Sequence, residues 1–126
     1  MPLLATDSIT NLLQNYLDVQ SQRTQVIAGN IANADTPNYN AKEFRFEDFL
    51  RDAARQSELP LSRQTDDLSP TQIVEQIPTV IGLDGNTVDV GREMSELAQA
   101  GTSFNFGSKM LQSRLRTLRM AIREGR

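Results

Sequence analysis

From Val90 to Ile122 the chain repeats one spacing without a break, and that spacing dictates a long helix. Val90, Met94, Leu97, Gly101, Phe104, Ser108, Leu111, Leu115, Leu118 and Ile122 alternate steps of four and three, and eight of the ten are apolar. A helix through them carries one continuous apolar stripe. Asp89 suits its N-cap, Glu93 and Glu96 lie in the first two turns, and arginines gather in the last turns. Both ends therefore complement the helix dipole. Gly101 and Gly107 work against a straight rod, each costing about 1 kcal/mol relative to Ala.

The N-terminal segment repeats the pattern. Ile9, Leu12, Tyr16, Val19, Arg23, Val26, Asn30 and Asn33 alternate steps of three and four, flanked by Leu13, Leu17, Ile27 and Ile31. Asp7 or Ser8 suits the N-cap, and Pro37 predicts an end near Asp35 by disfavouring helix at Thr36. Each helix spans some 40–50 Å at roughly 1.5 Å per residue. An apolar repeat of about 3.5 residues over that length reads as a coiled coil, the two ends of the chain winding on each other or on neighbours. The expected fold is mainly α, with an N-terminal axial helix and turn over residues 1–38 and a C-terminal axial helix over 89–126. Between them, residues 39–88 are expected to form an extended or partly disordered segment.

That middle has little to bury. The alternation of Glu43-Phe44-Arg45-Phe46 predicts a short strand or extended arm, and Phe49 to Gln56 turns helix-like. Residues 57–72 collect Ser, Thr, Asp and Pro and are expected to be mobile. Ile73 to Ile81 is β-prone, with Pro78 confining it to an edge or a link. Hydrophobic residues make up 38% of the chain and there is no Trp, too little apolar mass for a compact ball of 126 residues. The molecule is expected to be elongated or completed by neighbours.

Charge and chemistry narrow the functions. Lys109, Arg114, Arg116, Arg119, Arg123 and Arg126 against Glu124 give the last 18 residues a net +5, leaving −8 on the rest of a chain of net −3. An acidic body with a basic tail suggests charge pairing with another molecule, a second copy included. Arg116, Arg119 and Arg123 could follow phosphates, but the acidic whole and the dipole argument make nucleic acid the weaker reading. With no Cys and no His, thiol nucleophiles, Cys/His zinc sites and imidazole catalysis are excluded. Neither cofactor nor small-molecule substrate is expected. No apolar run is long enough for a membrane span, and the N-terminus lacks the pattern of a cleavable secretory signal.

Two motifs remain. In the first, Ala28 to Tyr39, small residues and amides end the first helix. Asn30 and Asn33 could bond across to a partner and set its register, while Ile31, Asp35, Thr36, Pro37 and Tyr39 complete a helix end and turn. On the residues alone, the plainer reading of a C-cap and turn is favoured. The second motif comprises Leu83, Asp84, Gly85, Asn86, Thr87, Val88 and Asp89. It has the glycine of a calcium loop, but Val80 and Gly82 stand where carboxylates are needed and Gly91 where the bidentate Glu belongs. It reads as a turn into the last helix. Pairs such as Glu43 with Glu47, or Asp84 with Asp89, lack a pocket or an activated nucleophile. The residues by themselves admit a self-assembling axial subunit, a free-standing coiled-coil adaptor or, least well supported, a small hydrolase.

Together the two motifs resemble those of the flagellar basal-body rod proteins, whose first helix ends on a similar Asn-x-Ala-Asn signature. Asn30-Ile31-Ala32-Asn33-Ala34-Asp35-Thr36-Pro37, followed by Asp84-Gly85-Asn86-Thr87-Val88-Asp89, is most similar to a proximal-rod member. Asn38 stands where the family usually has Gly, and Asn is the next best residue for positive φ. The resemblance implies a structural subunit exported through the flagellar type III apparatus without a cleaved signal and assembled in the periplasmic rod that transmits torque. It also implies partners: other rod proteins, the hook–basal body adaptor protein E, the export-gate proteins and the membrane-ring protein. Terminal segments of such a subunit are expected to fray until they meet neighbours.

Overall fold

The computed structural model describes residues 2–49, 51 and 73–125, with side chains from residue 9 onward. Two long helices dominate: α1, Pro2–Ala32, and α2, Val90–Glu124, of 31 and 35 residues. They run antiparallel. The end of α1 lies beside the start of α2, where the Asn86 side chain reaches the Asn33 and Thr36 carbonyls, and Gly107 lies against Tyr16 and Leu17. Between them β1, Lys42–Phe44, pairs antiparallel with β2, Ile73–Glu75, in the register Lys42 to Glu75, Glu43 to Val74 and Phe44 to Ile73. Short strands thus form at both β-prone stretches. The mobile segment expected over 57–72 lies outside the described residues. Among those described, no helix is long and apolar enough to cross a membrane.

The helix ends show local chemistry at work. Asp89 caps α2 as expected, its carboxylate accepting from the Arg92 amide at 3.2 Å. The start of α1 differs from the expectation. The helix begins at Pro2 rather than at Asp7 or Ser8, because Pro is well suited to the first helical position, where its missing N–H is no loss. It ends at Ala32, and the backbone turns through Asn33 and Thr36, the Thr36 amide donating to the Asn33 carbonyl at 3.0 Å.

The faces that pair are displaced from the apolar stripes. On α2 the buried positions are Glu93, Ala100 and Gly107, spaced by seven and one residue out of phase with Met94, Gly101 and Ser108. On α1, Val19, Gln20, Ile27 and Asn30 are buried. Of the seam expected from the apolar spacing, Val19 is buried and Tyr16, Val26, Leu97, Leu111 and Leu118 are half-buried. Ile9, Leu12, Val90, Met94, Phe104, Leu115 and Ile122 stay exposed. The reason is size. Small side chains let two helix axes approach, and α1 and α2 close on the Ala100–Gly107 edge, leaving the bulky stripe on its flank and only partly covered. A Cβ at Gly107 would stand 3.0 Å from the Tyr16 ring and from the end of Leu17.

A small core closes the other side of α1. Val19, Phe44 and Phe49 are buried together, with Phe46 packed on them. Residues 46–49 make a helical turn that sets Phe46 edge-on to Tyr16, centroids 6.4 Å apart, and stacked on Phe49 at 6.4 Å. Burying such side chains is worth about 1.5–3 kcal/mol each.

Two glycine substitutions test this packing. Gly107→Leu should lower the denaturation midpoint by the equivalent of about 1–3 kcal/mol, because the side chain must separate the helices. At Gly101 a Cβ meets nothing within 4 Å, so Gly101→Ala should raise stability by up to about 1 kcal/mol. Urea denaturation of the two variants distinguishes the effects.

Candidate assembly site

The two motifs, some fifty residues apart in sequence, form one hydrogen-bonded clasp at the end of the hairpin. Asn86, itself buried, donates both amide hydrogens to α1's end: Nδ2 lies 2.8 Å from the Asn33 carbonyl and 2.8 Å from the Thr36 carbonyl. Those carbonyls lie just past the helix, where backbone acceptors lack intrahelical partners. The Asn86 Oδ1 accepts from the Val88 amide at 2.7 Å, and the Asn86 amide donates to Asp84 Oδ1 at 3.1 Å. One side chain therefore shapes the loop into α2 and caps α1.

Asn30 is fully buried and serves the chain's own strand. Its Nδ2 donates to the Lys42 carbonyl at 2.7 Å, and its Oδ1 accepts from the Lys42 amide at 2.9 Å and from the Tyr39 hydroxyl at 3.3 Å. The residues alone left Asn30 and Asn33 free to bond a partner but favoured a plain helix end and turn. In the folded chain Asn30 bonds β1, and Asn33 donates to the Gly29 carbonyl at 2.8 Å while accepting from Thr36 Oγ1 at 3.2 Å. A buried amide left without these bonds would cost about 1–3 kcal/mol, which explains the intramolecular choice.

The backbone completes the clasp. The Asn38 amide donates to the Asp84 carbonyl at 2.9 Å and the Thr87 amide to the Tyr39 carbonyl at 3.0 Å. Thr87 Oγ1 accepts from the Ala41 amide at 2.9 Å. Asn38 takes φ 58° and Gly85 φ 80°, both left-handed, and a Cβ on Gly85 would collide with the Asn38 side chain. Asn and Gly are the residues that tolerate such backbone. Ile31 is half-buried, and Asp35, Pro37 and Asp84 are exposed at the rim.

Gln76 and Glu93 escaped the sequence reading as functional positions. Gln76 Nε2 donates to Glu93 Oε1 at 2.9 Å and lies 3.3 Å from the Lys42 carbonyl, tying β2 to the first turn of α2. Glu93 looked like a solvated dipole partner, and only tertiary structure shows that it is buried. Arg92 pairs with Glu96 at 3.0 Å and with Glu43 at 3.9 Å. The hydrogen bond to Glu96, with smaller help from the neighbouring carboxylates, holds its pKa above the ordinary guanidinium value. Arg92 is therefore charged at every working pH. Among the described residues no cluster of three or more acidic side chains could hold a metal ion.

Beyond the clasp, an apolar groove of about 380 Å³ runs between α1 and α2, lined by Leu12, Leu13, Tyr16, Phe46, Phe106 and Met110 among others. Its Phe106 and Met110 are exposed and stand outside the apolar repeat of α2. The arrangement is a hydrogen-bonded clasp joining two helices that carry exposed apolar side chains.

Removing the Asn86 amide should be costly and enlarging the freedom of Asn38 should not. Asn86→Ala should lower unfolding free energy by about 1–3 kcal/mol, because the Asn33 and Thr36 carbonyls each lose one donor and the Val88 amide loses its acceptor. Asn38→Gly should stay within about 1 kcal/mol of the parent. Thermal melts followed by circular dichroism measure both.

Known proteins place this architecture. A family model described as flagella basal body rod protein matches residues 17–40, the stretch from α1 through the first half of the clasp. The chain is 30% identical to the flagellar basal body rod protein FlgB of Salmonella typhimurium, over 94% of this chain and 96% of the relative. It is 32% identical to that of Bacillus subtilis over 98% of each. With FlgB of Borrelia hermsii it shares 38% identity over 71% of this chain and 76% of the relative. On these similarities across nearly its whole length, the chain belongs to the flagellar basal body rod protein family.

Proposed function

We propose that this structural component of the flagellar rod builds the proximal part of the periplasmic drive shaft, using the outward stripe of α2 as its adhesive surface. The observation that carries the reading is the exposure of Val90, Met94, Phe104, Leu115 and Ile122 along one helix of about 50 Å. A monomer gains nothing from presenting such a stripe to water, and large exposed apolar surface marks an interaction site. Parallel stacking of hairpins around an axis covers it and yields a stiff tube able to transmit torque. The surfaces left open accept copies of the chain and the other rod subunits. At the base of the shaft we assign the hook–basal body adaptor protein E, the export-gate proteins and the membrane-ring protein as neighbours.

Export fits the same physics. A chain with no Cys forms no disulfide in an oxidising compartment, and a small core is readily unfolded for passage through a narrow channel. We assign export without a cleaved signal, followed by folding that is completed as neighbours cover the stripe. Residues 1–38, 39–88 and 89–126 act in this reading as first axial helix, variable link and second axial helix.

Leu115→Glu tests the reading. The side chain is exposed, so the substitution should leave helix content and export unchanged yet abolish swimming in cells carrying only the variant. Swimming at the parental rate, with the variant incorporated into basal bodies, would refute the role of the stripe.

A further inference from the structure

The loop that carries Asn86 also carries a reactive dipeptide. Asp84-Gly85 is the only Asp-Gly step in the chain, and there is no Asn-Gly step. In an open chain such a step reacts with itself. The Gly85 nitrogen attacks the side-chain carboxyl carbon of Asp84, and the new C–N bond closes a five-membered succinimide. One water leaves, built from the carboxyl O–H and the amide proton. Water then adds to either ring carbonyl. One opening restores Asp84; the other leaves isoaspartate, with Gly85 joined through the former side chain and the main chain longer by one carbon. Glycine favours closure because no Cβ obstructs the approach to its nitrogen.

The fold opposes each movement that ring closure needs. The Gly85 amide donates to the Gly82 carbonyl at 3.0 Å, so the nucleophile is engaged. The Asp84 carboxylate accepts from the Asn86 amide at 3.1 Å, which ties down the electrophile. Bringing the two together requires turning the Asp84–Gly85 peptide. Its carbonyl accepts from the Asn38 amide at 2.9 Å, and the Gly82 amide donates to the Asn86 carbonyl at 2.8 Å across the same loop. The Asn38 side chain fills the space where a Cβ on Gly85 would stand. Asp84 is exposed, so water has access and geometry alone supplies the protection.

We propose that Asp84-Gly85 is a site of isoaspartate formation gated by the clasp, closed in the folded subunit and open when the chain is unfolded or the clasp breaks. Reaction from the folded state requires a local opening in which these bonds break together. That requirement should slow it by at least about tenfold. The product damages the clasp that had protected the site. An extra backbone carbon before Gly85 displaces Asn86, whose Nδ2 lies 2.8 Å from both the Asn33 and Thr36 carbonyls. Copies held unfolded therefore lose, one by one, the contact that joins their helices. The gate depends on the loop geometry and not on the rod reading.

Incubation of the full chain near neutral pH, native or in guanidinium chloride, tests the gate. Isoaspartate is counted with an isoaspartyl methyltransferase and located by mass spectrometry of proteolytic peptides. A synthetic peptide of residues 80–89 in both buffers reports the effect of denaturant alone. In the unfolded chain residue 84 should be the main site of modification, at the rate of the peptide. In the native chain the rate there should fall by at least about tenfold. Asn86→Ala keeps the backbone amide but drops the side chain that joins the helices, so in native buffer it should recover part or all of the lost rate. Asp84→Glu should show no modification at residue 84 even when unfolded, because a six-membered ring closes far more slowly. Parent chains modified at residue 84 and then refolded should melt below unmodified ones. Equal rates in the native and unfolded parent, or an Asn86→Ala rate equal to the native parent's, would overturn the gate. Modification concentrated at other residues of the unfolded chain would overturn the site.

Discussion

The carboxamide of Asn86 is the interaction on which the remaining geometry depends. By donating to the Asn33 and Thr36 carbonyls while accepting from the Val88 amide, it joins the end of one long helix to the start of the other. Two antiparallel helices of this length could slide by a turn at little cost in apolar contact, since their repeats look alike from turn to turn. Hydrogen bonds at a single end remove that freedom. Asn30, locked onto Lys42, then brings the β strands and the Phe44–Phe49 core against α1, so helices and link share one register.

With the register set, Gly107 meets Tyr16 and Leu17, and the pairing runs along small residues. This choice leaves the bulky stripe of α2 on the flank of the seam, half-covered at Leu97, Leu111 and Leu118 and exposed at Val90, Met94, Phe104, Leu115 and Ile122. The chain separates two tasks that one helix face cannot perform together: the small edge holds the hairpin, and the large stripe remains for neighbours. A core limited among the described residues to a few side chains such as Val19, Phe44 and Phe49 suits a subunit whose final burial comes from its assembly.

Much of this was legible in the residues. Spacing alone located both helices, Asp89 announced the cap of α2, and the turn residues around Pro37 and Gly85 marked where the chain reverses. Three features were hidden for physical reasons. Apolar spacing reports where bulk lies, and here the pairing follows the absence of bulk at Ala100 and Gly107. The destination of an amide is tertiary information: Asn30 could bond a partner or its own backbone, and only the position of Lys42 decides. Burial of Glu93 beside Gln76 likewise depends on β2 arriving from elsewhere in the chain. The pairing of the two motifs, noticed as a resemblance to rod proteins, has a structural cause in the bonds of Asn86.

The central claim is that the α2 stripe faces water in the free subunit and is covered in the rod. The chain has no cysteine, so single substitutions such as Phe104→Cys and Leu115→Cys create unique reporters. The rate of thiol labelling should be fast in the purified subunit and fall by at least about tenfold once the subunit is incorporated into isolated basal bodies, which corresponds to more than about 1.4 kcal/mol of protection. Equal labelling in the two states, or a stripe already protected in the free subunit, would contradict the account.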